Sequence, residues 1–112
     1  MGEFIVRRMG SVIKLAAGAQ EEYEALHRNV WPDVLAQIRR SGIQNYSIYR
    51  YGDLLFSYFE YVGLNFDEDM AAMGEDTRTK QWWALTIPLQ SPMPERQAGE
   101  WWMELPELFH MD

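Results

Sequence analysis

Apolar positions change their period along the chain, and each period predicts an element. Val6, Met9, Val12, Ile13 and Leu15 alternate imperfectly with polar neighbours, and their β-branched content, followed by Ala16-Ala17-Gly18, predicts a strand over about residues 6–15. From Gln20 the spacing turns to three and four. Tyr23, His27, Val30, Trp31, Val34, Leu35 and Ile38 fall on one face, and Glu21, Glu24, Arg28, Gln37 and Arg39 on the other, as in an amphipathic helix stopped by Gly42. Pro32 lacks an N–H and disfavours helical geometry at Trp31, so this helix must kink or restart one turn beyond His27. Residues 43–51 and 54–62 read as two strands joined at Gly52-Asp53. Two further helices are expected over 65–74 and 77–87, the second capped by Asp76 and ended by Pro88. A proline-rich loop over 88–99 then leads to a closing strand or two within Trp101–His110, interrupted by Pro106.

The order strand, helix, strand, strand, helix, strand defines an α+β fold, the ferredoxin-like split βαβ sandwich, with helices on one face of an antiparallel-rich sheet. The hairpin carries apolar side chains on both faces: Leu54, Phe56, Tyr58 and Val62 on one, Leu55, Phe59 and Tyr61 on the other. Helices cover one of them. The other is expected to pack against a second copy, sheet to sheet, in a two-fold homodimer.

With 112 residues, 47% of them hydrophobic, the chain suits a single domain over residues 1–112. Its first residues, with a linker-like Gly-Glu-Phe, are expected to be disordered or left by cloning over 1–5. Ten basic against seventeen acidic residues give a net charge of −7, which opposes nucleic-acid binding. The absence of cysteine removes disulfides, thiolate metal sites and a Cys nucleophile. No stretch is long enough to cross a membrane and no secretory leader is visible, so the cytoplasm is the expected compartment. The sequon Asn45-Tyr46-Ser47 is accordingly read as strand.

His27 and His110 are the two histidines. Tyr23 precedes His27 by one helical turn, which sets phenol and imidazole side by side. Pattern alone favours a core histidine bonded to backbone. Acid/base work is the functional reading left, because neither a nucleophile turn nor a metal-ligand spacing accompanies it. Trp82 and Trp83, about 100° apart on a helix, are either core anchors or flat faces for a sugar or an apolar ligand body, and at most one points straight into any single cavity. Trp101 and Trp102 read as packing or dimer residues. Asp67, Glu68, Asp69, Glu75 and Asp76 lack the spacing of a calcium loop and read as a solvated helix face. Tyr46 shares a strand face with Ile48, and its hydroxyl either binds a ligand oxygen or bonds backbone.

Taken in order, Glu21-Glu22-Tyr23-x3-His27-x3-Trp31-Pro32, Gly42-x2-Asn45-Tyr46-x-Ile48-Tyr49, Leu54-Leu55-Phe56, Gln81-Trp82-Trp83 and Glu104-Leu105-x-Glu107-x-Phe109 closely resemble the L-rhamnose mutarotase family from about Met9 to Phe109. The resemblance implies a dimeric α/β barrel that interconverts the α and β anomers of a 6-deoxy sugar without metal or organic cofactor. It implies that His27 is the proton donor and that Tyr23, Tyr46, Trp82 and Trp83 bind the sugar. L-Fucose is the nearest competing substrate. A non-catalytic binding protein and a cofactor-free monooxygenase are the other readings of this architecture.

Overall fold

A computed structural model describes residues 6–112; the expectation for residues 1–5 lies outside the described residues. Strand β1 (Arg7–Leu15) leads into helix α1 (Gln20–His27), helix α2 (Pro32–Arg40), strands β2 (Ile43–Tyr51) and β3 (Leu54–Tyr61), and helices α3 (Phe66–Glu75) and α4 (Thr77–Thr86). A 3-10 turn over Ile87–Leu89 and two short strands, β4 (Gln90–Ser91) and β5 (Met103–Leu105), complete it.

Pro32 settles the long amphipathic pattern as two helices. Trp31 adopts the extended geometry that a following proline demands, with φ −61° and ψ 134°, and Pro32 then opens α2 at a position where no N–H is needed. Asp76 caps α4 as expected, its carboxylate accepting from the Thr79 backbone N–H at 2.9 Å. Pro88 falls inside the 3-10 turn rather than ending the helix outright.

The sheet is antiparallel in the order β2-β3-β1-β4, with β5 also on β1. The expected closing strand is therefore split. Lys14 and Leu15 pair with Ser91 and Gln90, while Gly10–Val12 pair with Leu105–Met103, so β4 and β5 share one edge of β1. Two residues expected in the 88–99 loop thus form strand, and the region from Trp101 to His110 holds only three strand residues. The bond-forming edge of β1 is filled piecemeal because Pro92, Pro94 and Pro106 cannot donate to a ladder.

Ile13, Leu15 and Leu55 form the buried cluster on one sheet face together with Tyr23 of α1, and Ile48, Leu89 and Trp102 pack against it. The opposite face presents Val12, Leu54, Phe56 and Tyr58, by strand alternation. Tyr49 and Tyr51 pair with Phe56 and Leu54 on that side and stay 65% and 78% exposed. The pairing of β2 with β3 shifts register between Gln44 and Ser47, where Asn45 takes a positive φ of 49°. After this bulge, Tyr46 packs edge-on against Phe59, at 5.5 Å between ring centroids.

Candidate active site

A chain of four aromatic rings crosses from α1 to α4. Tyr23 and His27 stack with centroids 4.2 Å apart and planes at 23°, the contact that their one-turn spacing predicts. His27 meets Trp82 edge-on at 5.5 Å, and Trp82 meets Trp31, at the start of α2, at 5.3 Å. The Arg78 guanidinium lies 4.1 Å over Trp31 and closes the far end.

His27 Nδ1 is 2.9 Å from the Tyr23 backbone oxygen. A carbonyl has no proton to give, so Nδ1 must carry the hydrogen, and in the neutral ring Nε2 holds the lone pair. Nε2 has no hydrogen-bond partner among the described residues, and no described buried nitrogen goes unpaired, so Nε2 is not sealed off from solvent. Burial lowers the imidazole pKa below its ordinary value, and the bond to the Tyr23 carbonyl opposes that shift in part. The ring is anchored to backbone at one nitrogen, as the core reading expects, and the other nitrogen has no partner among the described residues.

Both phenols are held protonated near neutral pH. Burial raises the Tyr23 pKa, partly offset by a hydrogen bond from Gln90. Tyr46 remains 43% exposed as a residue, yet its hydroxyl end is desolvated, which together with the nearby Tyr23 phenol pushes it up to about 12. Each is therefore a hydrogen-bond donor rather than a base.

Tyr46 also lines a mostly apolar cavity of about 190 Å3, walled by Met9, Phe59 and Trp102, with Ser11, Ser57 and Glu104 at its margin. Trp102 joins the two features, since it packs on the Tyr23 cluster and faces the cavity. Tyr23 and His27 do not themselves line it. A larger trough of about 340 Å3, lined by Glu95, Glu100, Glu104 and Pro106 among others, touches neither Tyr46 nor Trp102, so the smaller one, which adjoins the Tyr23 cluster through Trp102, is the candidate ligand site. Of the two adjacent tryptophans, Trp82 is buried in the ring chain, whereas Trp83 packs toward α3, its Cζ3 3.7 Å from where a Cβ on Gly74 would stand. Trp101 and Trp102 are not strand residues. Trp102 packs inward, and Trp101 donates its indole N–H to Gln90 Oε1 at 2.7 Å.

Gln90 and the Ser11–Ser57 hydroxyl pair, 2.5 Å apart, are polar groups that sequence pattern did not single out. Alternation places Ser11 and Ser57 on the Ile13 face, but only the β1–β3 register sets them opposite each other. Among the described residues no group of three or more His, Asp or Glu side chains is placed to hold a metal ion. The acidic residues at the start of α3 serve locally instead, Asp69 accepting from the Tyr61 hydroxyl.

An antiparallel α+β sandwich in which an imidazole stacks on one buried phenol, while a second phenol lines a small hollow joined to that cluster through Trp102, places this chain in a class of small α+β domains with a titratable group beside an aromatic cluster. The L-rhamnose mutarotase family model matches residues 8–111, and the chain belongs to that family. An L-rhamnose mutarotase of Oceanobacillus iheyensis is 28% identical over 109 residues, covering 96% of this chain and all of that protein. An L-fucose mutarotase of Xanthomonas campestris is 35% identical over 92 residues, covering 79% of this chain and 73% of that protein. The crystal structure of an L-rhamnose mutarotase from Formosa agariphila superposes with a TM-score of 0.72 at 23% identity, covering 95% of this chain and 99% of the other, and shares the fold.

Proposed function

We propose that this chain is an isomerase that interconverts the α and β anomers of L-rhamnose. The observation that carries the reading is the His27 ring, fixed through Nδ1 and with Nε2 unpartnered among the described residues. In the reaction, Nε2 takes the proton of the C1 hydroxyl while the C1–O5 bond breaks and O5 takes a proton from a water molecule, giving the open aldehyde. Rotation about C1–C2 presents the other carbonyl face. O5 then adds back to C1 and gives its proton to the hydroxide left by that water, while the imidazolium returns a proton to the C1 oxygen. Tyr23 and Tyr46, both protonated, donate hydrogen bonds to sugar oxygens, and Trp82, in the ring chain with His27, supplies an apolar face for the sugar's C–H groups, whereas Trp83, expected beside it, packs toward α3 instead. Spontaneous mutarotation already proceeds in water, so one acid/base group and a few oriented donors provide a sufficient lowering of the barrier.

The greater identity to the L-fucose mutarotase supports L-fucose as a second substrate, another 6-deoxy hexose that differs in hydroxyl configuration. The chain acts as a cytoplasmic single-domain protomer of a homodimer, joined through the aromatic sheet face. Saturation-transfer NMR between α and β anomeric protons, run on L-rhamnose, L-fucose and non-deoxy hexoses, tests the proposal. Exchange faster than the buffer rate for L-rhamnose is expected; acceleration of none of these sugars refutes the assignment.

A further inference from the structure

Gln90 stands in β4, where its backbone is held by the ladder to Leu15, a member of the same buried cluster as Tyr23. Its side-chain amide bridges two rings. Trp101 Nε1 lies 2.7 Å from Gln90 Oε1, and Gln90 Nε2 lies 3.2 Å from the Tyr23 hydroxyl. These contacts admit one assignment of protons. An indole N–H only donates, so the amide atom facing it is the carbonyl oxygen, and the NH2 end turns to Tyr23. That NH2 also only donates, so the phenol oxygen accepts. A phenol carries a single proton, and no described residue accepts the one on Tyr23. The hydroxyl is left with a free proton and an occupied lone pair.

We propose that Gln90 and Trp101 are positioning residues that fix the direction of the Tyr23 hydroxyl, making it a hydrogen-bond donor to a sugar oxygen rather than an acceptor from a sugar hydroxyl. The proposal deepens the mutarotase reading and rests on it for the identity of the ligand. Trp101, 39% exposed, is spared from core duty, and its indole nitrogen is committed to the amide. The orientation costs little at the moment of binding because β4 and the buried cluster hold the relay in advance.

The test is a double-mutant cycle on anomer exchange with L-rhamnose, reading KM and kcat separately. Gln90→Met and Tyr23→Phe are each expected to raise KM by about 2- to 10-fold, the range of one neutral hydrogen bond, and the double variant should be no worse than Tyr23→Phe alone. Trp101→Phe should raise KM in the same direction, since it frees the amide to turn over. An unchanged KM in Gln90→Met or Trp101→Phe, or an equal further loss from Gln90→Met in the Tyr23→Phe background, overturns the proposal.

Gln90→Glu separates orientation from mere packing. An ionised carboxylate has no proton to give and would capture the Tyr23 hydroxyl, raising KM at pH 7; once protonated it donates again, so KM should fall back as the solution is acidified. A defect that persists on acidification overturns the relay. If the wild-type protein exchanges anomers of no sugar, the mutarotase reading fails, and the relay is then judged by NMR titration of 13C-labelled tyrosine. Loss of the Gln90 donor in Gln90→Met should raise the Tyr23 midpoint, and an unmoved midpoint overturns it.

Discussion

His27 divides its two nitrogens between structure and chemistry, and a single substitution can divide them again. Asparagine carries an amide N–H about where Nδ1 sits, so His27→Asn keeps a donor for the Tyr23 carbonyl while deleting Nε2. Anomer exchange should fall by about 10²-fold or more while the far-UV circular dichroism spectrum is unchanged. Wild-type activity in that assay should require neutral imidazole. Burial lowers the folded-state pKa below the ordinary value, so kcat/KM should hold through neutral pH and fall on acidification with a midpoint under ~6.5. The same shift makes the contribution of His27 to stability largest above the unfolded pKa, declining as pH drops toward the folded one. Trp82 is tied more deeply into the core. It is buried against His27 and Trp31, so Trp82→Ala should cost about 3–5 kcal/mol in urea unfolding in addition to weakening sugar binding. The stacked pair was legible in the sequence because a spacing of four on a helix places two side chains together whatever surrounds them. Gln90 was not, because its partner lies 67 positions away and an amide bridging two rings leaves no periodic mark.

Elements were legible where a period had room to repeat. The nine residues of β1, the hairpin around Gly52 and the two halves of the α1–α2 pattern all stand close to their expected bounds. The β4–β5 edge escaped the pattern because strands of two and three residues offer hardly one full alternation, and the tertiary ladder to β1 decides them. Gly42 marks the join between α2 and β2 and carries a second demand that sequence cannot express. Its φ of 86° is left-handed, and a Cβ there would come within 2.9 Å of Tyr61 Cε1 and 3.1 Å of the Gly63 nitrogen. Gly42→Ala should therefore lower unfolding free energy by about 1–2 kcal/mol from backbone geometry, with a further loss from the clash. Denaturant titration measures it, and a variant as stable as wild type would mean that the turn relaxes freely.

At the scale of the whole molecule, the sheet has a side packed against Tyr23 of α1 and an opposite side on which Val12 is buried but Tyr49 and Tyr51 stay exposed. Tyr49 beside Phe56 and Tyr51 beside Leu54 make a continuous apolar band across β2 and β3, with Tyr49 and Tyr51 among the most exposed large hydrophobic residues. A monomer gains nothing by displaying such a band, whereas two copies related by a two-fold axis would bury it twice. The candidate site lies on the opposite face with Ile13 and Tyr23, so association can be broken without touching it. Tyr49→Lys combined with Tyr51→Lys sets cations where two sheets would meet, adding to Lys14 on the same face, and desolvating them would oppose docking. Wild-type protein should sediment at twice the chain's mass and the double variant at the chain's mass. Both should keep the Tyr23–His27 stack, read from the His27 ring resonances. A wild-type protein that sediments as a single chain would refute the dimer. Persistent dimerisation of the double lysine variant would move the interface to another surface. Loss of exchange activity on dissociation, with the His27 resonances unchanged, would show that the partner subunit helps to form the sugar site.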